Sequence, residues 1–265
     1  MKVEITTVAG HATYGGDYRC LELEAPGIAP GVRPGQFVHI RLPAPADAIL
    51  RRPFSVFRTD GARLQILYKA VGRGTAAMCG LQPGDRLSVL GPLGNGFPAA
   101  APDSFPVLLA GGYGMAALYL QARTLPLRGI AFFGGAKAGD ILCVPEFEAL
   151  GWEVRVTTED GSRGGRGLVT AALDAWLAAG GRDRRPEFFA CGPNGMLRAV
   201  GERAAAGGWT GWLSMDRNMG CGVGACLTCV QKVRDPEAPD GWSWIRICRE
   251  GPVMECRTVV WDDKE

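Results

Sequence analysis

From Met1 to about Pro98, hydrophobic and polar residues alternate in short runs punctuated by Gly and Pro. Tyr18-Arg-Cys-Leu-Glu-Leu-Glu, Gln36-Phe-Val-His-Ile-Arg-Leu and Leu64-Gln-Ile-Leu-Tyr-Lys are three such runs, and Met1-Lys-Val-Glu-Ile-Thr-Thr-Val begins another. Period-two alternation marks strands with one buried face, and about six of them at this spacing predict a closed antiparallel Greek-key barrel. After the polar Ala101-Pro-Asp-Ser-Phe-Pro stretch the pattern changes. Val107-Leu-Leu-Ala-Gly-Gly-Tyr-Gly-Met-Ala-Ala-Leu reads as a buried strand, a glycine turn and a helix. Strands at Gly129-Ile-Ala-Phe-Phe-Gly-Gly, Glu153-Val-Arg-Val-Thr-Thr and Pro186-Glu-Phe-Phe-Ala-Cys follow, with helices over 168–177 and from Asn194. This alternation predicts a doubly wound parallel sheet. The chain thus divides into a β-barrel (1–101), an α/β domain (102–208) and a small C-terminal domain (209–265) rich in Cys and Gly.

The 265 residues give ample core for such a multidomain β and α/β protein, and a formal charge of +2 points to neither a nucleic-acid nor a membrane partner. No charged head with an apolar run opens the chain, and the apolar run from Val107 is soon broken by glycines. A soluble, cytoplasmic protein is expected. Of the nine cysteines, Cys20, Cys79, Cys143 and Cys191 are scattered singly in apolar surroundings, the distribution of a reducing compartment.

Four others are not scattered. Cys221-Gly-Val-Gly-Ala-Cys226-Leu-Thr-Cys229, with Cys248 lying 19 positions further on, has the C-x4-C-x2-C…C spacing that holds a plant-type 2Fe-2S cluster. Gly222 and Gly224 allow the loop to wrap tightly and aim N–H groups at sulfur. A structural zinc site would also take four thiolates, but its ligands come as two separated pairs, whereas three ligands here crowd into nine residues. Cys256 reads as a small buried hydrophobe and as a rival to Cys248 for the fourth position.

Two motifs in the barrel suggest a phosphorylated, flat ligand. Arg51-Arg52-Pro53-Phe54-Ser55 combines guanidinium groups, a ring and a hydroxyl; an extended chain sends Arg52 and Phe54 to one side, Pro53 and Ser55 to the other, and a bend can gather them. Gly72-Arg-Gly74-Thr75-Ala-Ala-Met reads as a glycine turn entering a short helix whose free N–H groups suit a pyrophosphate. Taken singly, each is equally a surface arginine pair or a simple turn. His39, one of two histidines, reads as a packed strand residue. In the α/β half, the loop from Thr157 to Gly167 could hold an adenosine ribose, where Asp160 favours NAD and Arg163 tolerates an added phosphate; a solvated loop is the other reading.

In this order the motifs resemble the ferredoxin–NADP reductase superfamily, and with the cysteine pattern they resemble the electron-transfer subunits of NAD-linked dihydroorotate dehydrogenases. The resemblance spans the chain, including Cys248-Arg-Glu-Gly-Pro-Val and Val259-Val-Trp-Asp. It implies FAD, with Arg52 at the pyrophosphate, Phe54 over the isoalloxazine, Ser55 near flavin N5, and Gly72, Gly74 and Thr75 also at the pyrophosphate. Phe54 stands where the superfamily commonly has Tyr. It implies NAD, with Gly111, Gly112 and Gly114 at its pyrophosphate and Cys191, Gly192 and Pro193 bordering the nicotinamide. Met115-Ala116-Ala117 stands where members often have Pro. Cys221, Cys226, Cys229 and Cys248 would hold the 2Fe-2S cluster.

The implied activity is relay. A partner subunit carrying FMN oxidises dihydroorotate, single electrons pass through the cluster to FAD, and a hydride reaches NAD, in a heterotetramer with two copies of each subunit. No acid/base pair or nucleophile–His arrangement for work on a substrate carbon stands out in this chain, in keeping with chemistry done elsewhere. The alternatives are a reductase subunit of the same architecture serving ferredoxin or a hydrogenase, and a zinc-stapled binding module without redox chemistry. The acidic, Pro-rich segment from Arg234 to Gly241 reads as a hairpin insertion between ligands.

Overall fold

A computed structural model of the chain describes residues 1–42 and 49–261. The final residue of the Val259-Val-Trp-Asp run, Asp262, lies outside them. The N-terminal half contains β1 (Lys2–Gly15), β2 (Tyr18–Glu24), β3 (Phe37–Ile40), β4 (Arg52–Ser55), β5 (Arg58–Asp60), β6 (Arg63–Lys69), α1 (Arg73–Met78) and β7 (Arg86–Leu93). The strands form one antiparallel sheet in the order β4-β3-β7-β1-β2-β6-β5. Alternation drives the curl, since Leu21, Leu23, Val38, Ile40, Leu64, Ile66, Leu87 and Val89 all point into one core. Among the described residues no ladder joins β4 to β5. The chain between them crosses the seam instead: Val56 N–H donates to Gln36 O (3.2 Å) on the β3 side and Phe57 N–H to Gln65 O (2.8 Å) on the β6 side.

The second half contributes β8 (Phe105–Gly111), α2 (Gly114–Thr124), β9 (Ile130–Gly135), α3 (Val144–Ala149), β10 (Glu153–Thr158), β11 (Gly165–Arg166), α4 (Val169–Ala178), β12 (Pro186–Cys191), α5 (Asn194–Gly207) and β13 (Gly211–Ser214). β14 (Val230–Arg234), β15 (Trp242–Arg246) and β16 (Val253–Glu255) complete the chain. The sheet order β11-β10-β9-β8-β12-β13-β16 is parallel except for β16. Both its faces are covered. Phe132 and Phe188 pack with Leu173, Trp176, Leu197 and Val200 of α4 and α5, while Phe133 and Phe189 pack with Met115, Leu118 and Phe147 of α2 and α3.

The parallel sheet runs past residue 208, where the sequence pattern sets a boundary. β13 pairs with β12, and β16 adds antiparallel to β13, so the C-terminal region's own sheet is the β14–β15 hairpin alone. Strands of four and three residues are too short to declare a period. The segment from Arg234 to Gly241 forms the turn of that hairpin, where Asp235 N–H donates to Gly241 O at 3.0 Å. The expected linker is not loose: buried Glu187 accepts from Ala101 N–H (2.8 Å), Ser104 Oγ (2.6 Å) and Trp212 Nε1 (3.0 Å). No helix among the described residues is long and apolar enough to cross a membrane.

Phe133 is fully buried and meets Phe147 edge-on at 4.9 Å between centroids. Phe133→Ala should therefore cost about 3–5 kcal/mol through lost burial and a residual cavity. Denaturant titration at unchanged slope checks it.

Candidate functional site

Two cavities lie where the two halves meet. The first, about 470 Å³, is walled by the barrel residues Arg52, Pro53, Phe54 and Ser55, with Tyr68, Lys69, Gly72, Gly74 and Thr75 beyond them. β4 is an edge strand, and all four of its residues line the one space. The two arginines part company. Arg51 turns away and clamps the sheet, donating to Ser88 O (2.6 Å), Ser88 Oγ (2.8 Å) and His39 O (3.4 Å). Arg52 keeps its head at the cavity, donating to Leu50 O and Arg51 O. Phe54 presents its ring with Tyr68 edge-on behind it at 6.2 Å and 73°. Thr75 Oγ1 accepts from Val71 N–H (2.9 Å) and Gly72 N–H (3.2 Å), so the hydroxyl shapes the turn before α1. A Cβ on Gly74 would lie 2.4 Å from Leu42 Cδ1.

The second cavity, about 800 Å³, lies at the carboxyl ends of β8 and β12, the point where strand order reverses and ligands of open α/β sheets bind. Gly111, Gly112, Gly192, Pro193 and Asn194 form its floor. Gly114 is not at this wall. A Cβ there would stand 2.0 Å from Cys191 O, so it is glycine to let α2 begin against the end of β12. On the far side Glu159, immediately after β10, faces the cavity. Asp160, singled out by the sequence for that role, instead bonds Ser162 N–H (2.9 Å) and Oγ (2.6 Å) at the surface, and Arg163 reaches Ile141 O (3.3 Å).

Tyr113 and Asp216 line both cavities and are hydrogen-bonded to each other, Tyr113 Oη to Asp216 Oδ2 at 3.1 Å. Burial and then the Asp216 carboxylate push the Tyr113 phenol up, so it stays a donor. Cys191 walls the first cavity beside Ser214; burial pushes its thiol up to about 12, leaving it neutral. Neither Tyr113 nor Asp216 carries a sequence signal, since one is the variable position of a glycine turn and the other lies in a short polar link.

The cysteine loop follows directly. Val223, Ala225 and Cys226 N–H groups all point at Cys221 Sγ, at 3.4, 3.3 and 3.4 Å. Burial disfavours the Cys221 thiolate, but these donors outweigh it and lower its pKa. Thr228, through hydroxyl and backbone, holds Cys226 down to about 6, a thiolate at neutral pH. Cys248 N–H points at Cys229 Sγ (3.4 Å), and burial followed by the adjacent Cys229 thiol pushes Cys248 up to about 12. The thiols therefore go in twos, Cys221 with Cys226 and Cys229 with Cys248. Among the described residues no three Cys, His, Asp or Glu side chains close round a single ion. Two pairs of thiols with converging N–H donors fit a binuclear cluster better than one tetrahedral zinc. Cys256 is turned into the α/β domain, where its Sγ would lie 3.1 Å from a Cβ on Gly211.

His39 on β3 is fully buried, and among the described residues neither ring nitrogen has a hydrogen-bond partner. The backbones of Cys221 and of Arg51 both approach the ring without reaching hydrogen-bond geometry, and burial pushes the imidazole down, keeping it neutral. An unpaired buried polar group of this kind costs about 1–3 kcal/mol.

A β-barrel and a doubly wound sheet that share a two-cavity junction, followed by a paired-cysteine loop, define an iron–sulfur oxidoreductase of the ferredoxin–NADP reductase fold. Residues 216–260 match the family model for the iron–sulfur cluster binding domain of dihydroorotate dehydrogenase B. The chain is 42% identical over 238 residues to the dihydroorotate dehydrogenase B (NAD(+)) electron transfer subunit of Geobacillus kaustophilus, covering 86% of this chain and 87% of that one. It is 41% identical to the Bacillus caldolyticus subunit over the same shares. A solved structure of the NADH-dependent reduced ferredoxin–NADP oxidoreductase superposes with a TM-score of 0.83 at 27% identity, covering 98% of this chain and 91% of that one. The chain belongs to the family of dihydroorotate dehydrogenase B (NAD(+)) electron transfer subunits.

The contact at Gly114 gives a direct test of how the glycine turn is built. Gly114→Ala should force α2 off the end of β12 and cost about 1–3 kcal/mol of stability. It should weaken dinucleotide binding, read by fluorescence titration, and leave the visible spectrum of the C-terminal module unchanged.

Proposed function

We propose that this chain takes electrons from a dihydroorotate-oxidising partner subunit that carries FMN and delivers them to NAD, in a heterotetramer of two copies of each subunit. The observation that carries the reading is the shared wall. Tyr113 and Asp216 belong to both cavities at once, and the cysteine loop packs on barrel strand β3, whose Phe37 lines the first cavity.

In this reading Cys221, Cys226, Cys229 and Cys248 would hold a 2Fe-2S cluster, which would supply single-electron exchange. FAD in the barrel cavity supplies the chemistry that joins single-electron exchange on one side to hydride transfer on the other. Arg52 offers its guanidinium to the pyrophosphate, with Gly72, Gly74 and Thr75 shaping the turn that lets the phosphates approach. Phe54 would offer its ring to the isoalloxazine and Ser55 a hydroxyl beside it. Gly111 and Gly112 let the NAD pyrophosphate come close to the backbone, and Glu159 accepts from the adenosine ribose. Gly192 and Pro193 would border the nicotinamide, while Cys191, held neutral by burial, adds no charge of its own to the flavin side of the junction.

Co-expression with the FMN subunit tests the reading. Dihydroorotate-dependent NAD reduction is expected only when both subunits are present. Reduction of NAD by the FMN subunit alone, or delivery of electrons to ferredoxin and not to NAD, would contradict it. Cys226→Ser should abolish the cluster's absorbance and dihydroorotate-driven NAD reduction, yet leave NADH-to-dye activity in place. Glu159→Gln should lower the ratio of kcat/KM for NADH over NADPH by about tenfold, since it weakens the acceptor by neutralising it and removes the charge that repels a 2′-phosphate.

A further inference from the structure

β3 divides its side chains between two environments. Val38 and Ile40 enter the barrel core, while Phe37 leaves by the opposite face and packs with Cys229, Ile247 and Cys248. His39 shares that outer face by alternation and meets the cysteine loop at its first turn. A Cβ on Gly222, whose φ is +72°, would lie 2.4 Å from His39 Nδ1 and 3.0 Å from Cε1, so the loop rests directly on the imidazole. The register places Pro53, from the motif at the first cavity, opposite His39. One strand face therefore touches the walls of both redox sites, and at its centre stands a fully buried imidazole whose two nitrogens, among the described residues, are approached by the Cys221 and Arg51 backbones but complete no hydrogen bond. A packed strand residue, the reading that the sequence alone supports, would be served as well by Leu. The nitrogens need another account.

We propose that His39 is a positioning residue for the iron–sulfur loop: in the loaded protein its ring N–H is donated to the Cys221–Gly222 backbone, seating the loop on the strand that walls the flavin. Hydrogen bonding and burial around the ligands are what set a cluster's potential and its spacing from the next carrier. His39 thus controls how well the cluster exchanges electrons with the flavin, while hydride transfer, which takes place at the Tyr113–Asp216 side, does not depend on it. The proposal rests on the cluster reading above.

The test uses the full holoprotein and the variants His39→Leu, His39→Asn and His39→Gln. Iron, acid-labile sulfide and FAD are assayed first; wild-type protein without iron and sulfide would overturn the cluster reading and this proposal with it. Given a loaded wild type, His39→Leu should shift the cluster's midpoint potential in a spectroelectrochemical titration and alter its electron paramagnetic resonance signal. After anaerobic mixing with NADH, cluster bleaching should slow by about tenfold or more while flavin bleaching stays within about twofold of wild type. His39→Asn, whose amide nitrogen takes the place of Nδ1, should restore both potential and rate. A His39→Leu protein indistinguishable from wild type in potential, signal and rate would overturn the proposal alone. Should His39→Leu fail to accumulate, Asn against Gln decides, because the Gln amide reaches the Nε2 position: wild-type behaviour in Asn with loss in Gln supports the proposal, and equal behaviour in the two overturns it.

Discussion

The segment that follows Cys248 ties the three parts of the molecule together, and the relative placement of the redox sites depends on it. Asn95, at the end of the barrel, donates from its backbone to Gly251 O (2.5 Å) and from its side chain to Glu250 O (2.9 Å). One residue further on, Met215 N–H donates to Pro252 O (2.8 Å), and Val253–Glu255 then pairs with β13 of the parallel sheet. Within seven residues of a cysteine that pairs with Cys229, the chain is hydrogen-bonded to both other domains. A cluster module on a flexible tether would leave its distance to the barrel undefined; here backbone bonds on two sides fix it.

That fixed frame makes the junction chemically specific. The glycine turn after β8 and the Cys-Gly-Pro turn after β12 approach so closely that a side chain at Gly111 would come within 2.7 Å of Pro193 and one at Gly114 within 2.0 Å of Cys191 O. The two cavities share Tyr113 and Asp216 as lining residues beside this crowded pair of turns. Burial keeps the ionisable groups there in defined states: the Tyr113 phenol and the Cys191 thiol are both held protonated. At the cysteine loop, inward-pointing N–H groups favour thiolate at Cys221, and the Thr228 hydroxyl and backbone favour it at Cys226. Burial thus holds Tyr113 and Cys191 neutral at the junction, while hydrogen bonds favour the anionic form of two thiols in the cysteine loop.

Much of this was legible in the sequence, for identifiable reasons. The barrel strands have one wet and one dry face, so Leu21, Leu23, Leu64 and Ile66 announce their period. The strand–glycine–helix units have a fixed order, and the cysteine spacing is itself a geometric statement about a loop. What did not show were features made by distant segments meeting. The pairing of β16 with β13 depends on strands too short to have a pattern. Glu159 and Asp160 are neighbours of like chemistry, and the backbone turn at the end of β10 alone decides which faces the cavity. His39 looks like any strand residue until Gly222, 183 positions away, is found against its ring. Phe54 kept its stacking face, and Tyr68 from β6 backs it, a contact visible only once the sheet is curled.

The central claim is that one chain carries the barrel, dinucleotide and cluster sites in fixed series, so that transfer between them is internal. Anaerobic rapid mixing of the isolated holoprotein with NADH, monitoring flavin and cluster absorbance over a range of protein concentrations, tests it most directly. The account predicts that flavin absorbance falls first and the cluster band follows, at a rate independent of protein concentration. A cluster phase whose rate rises in proportion to protein concentration would mean that electrons move between molecules, and would contradict it.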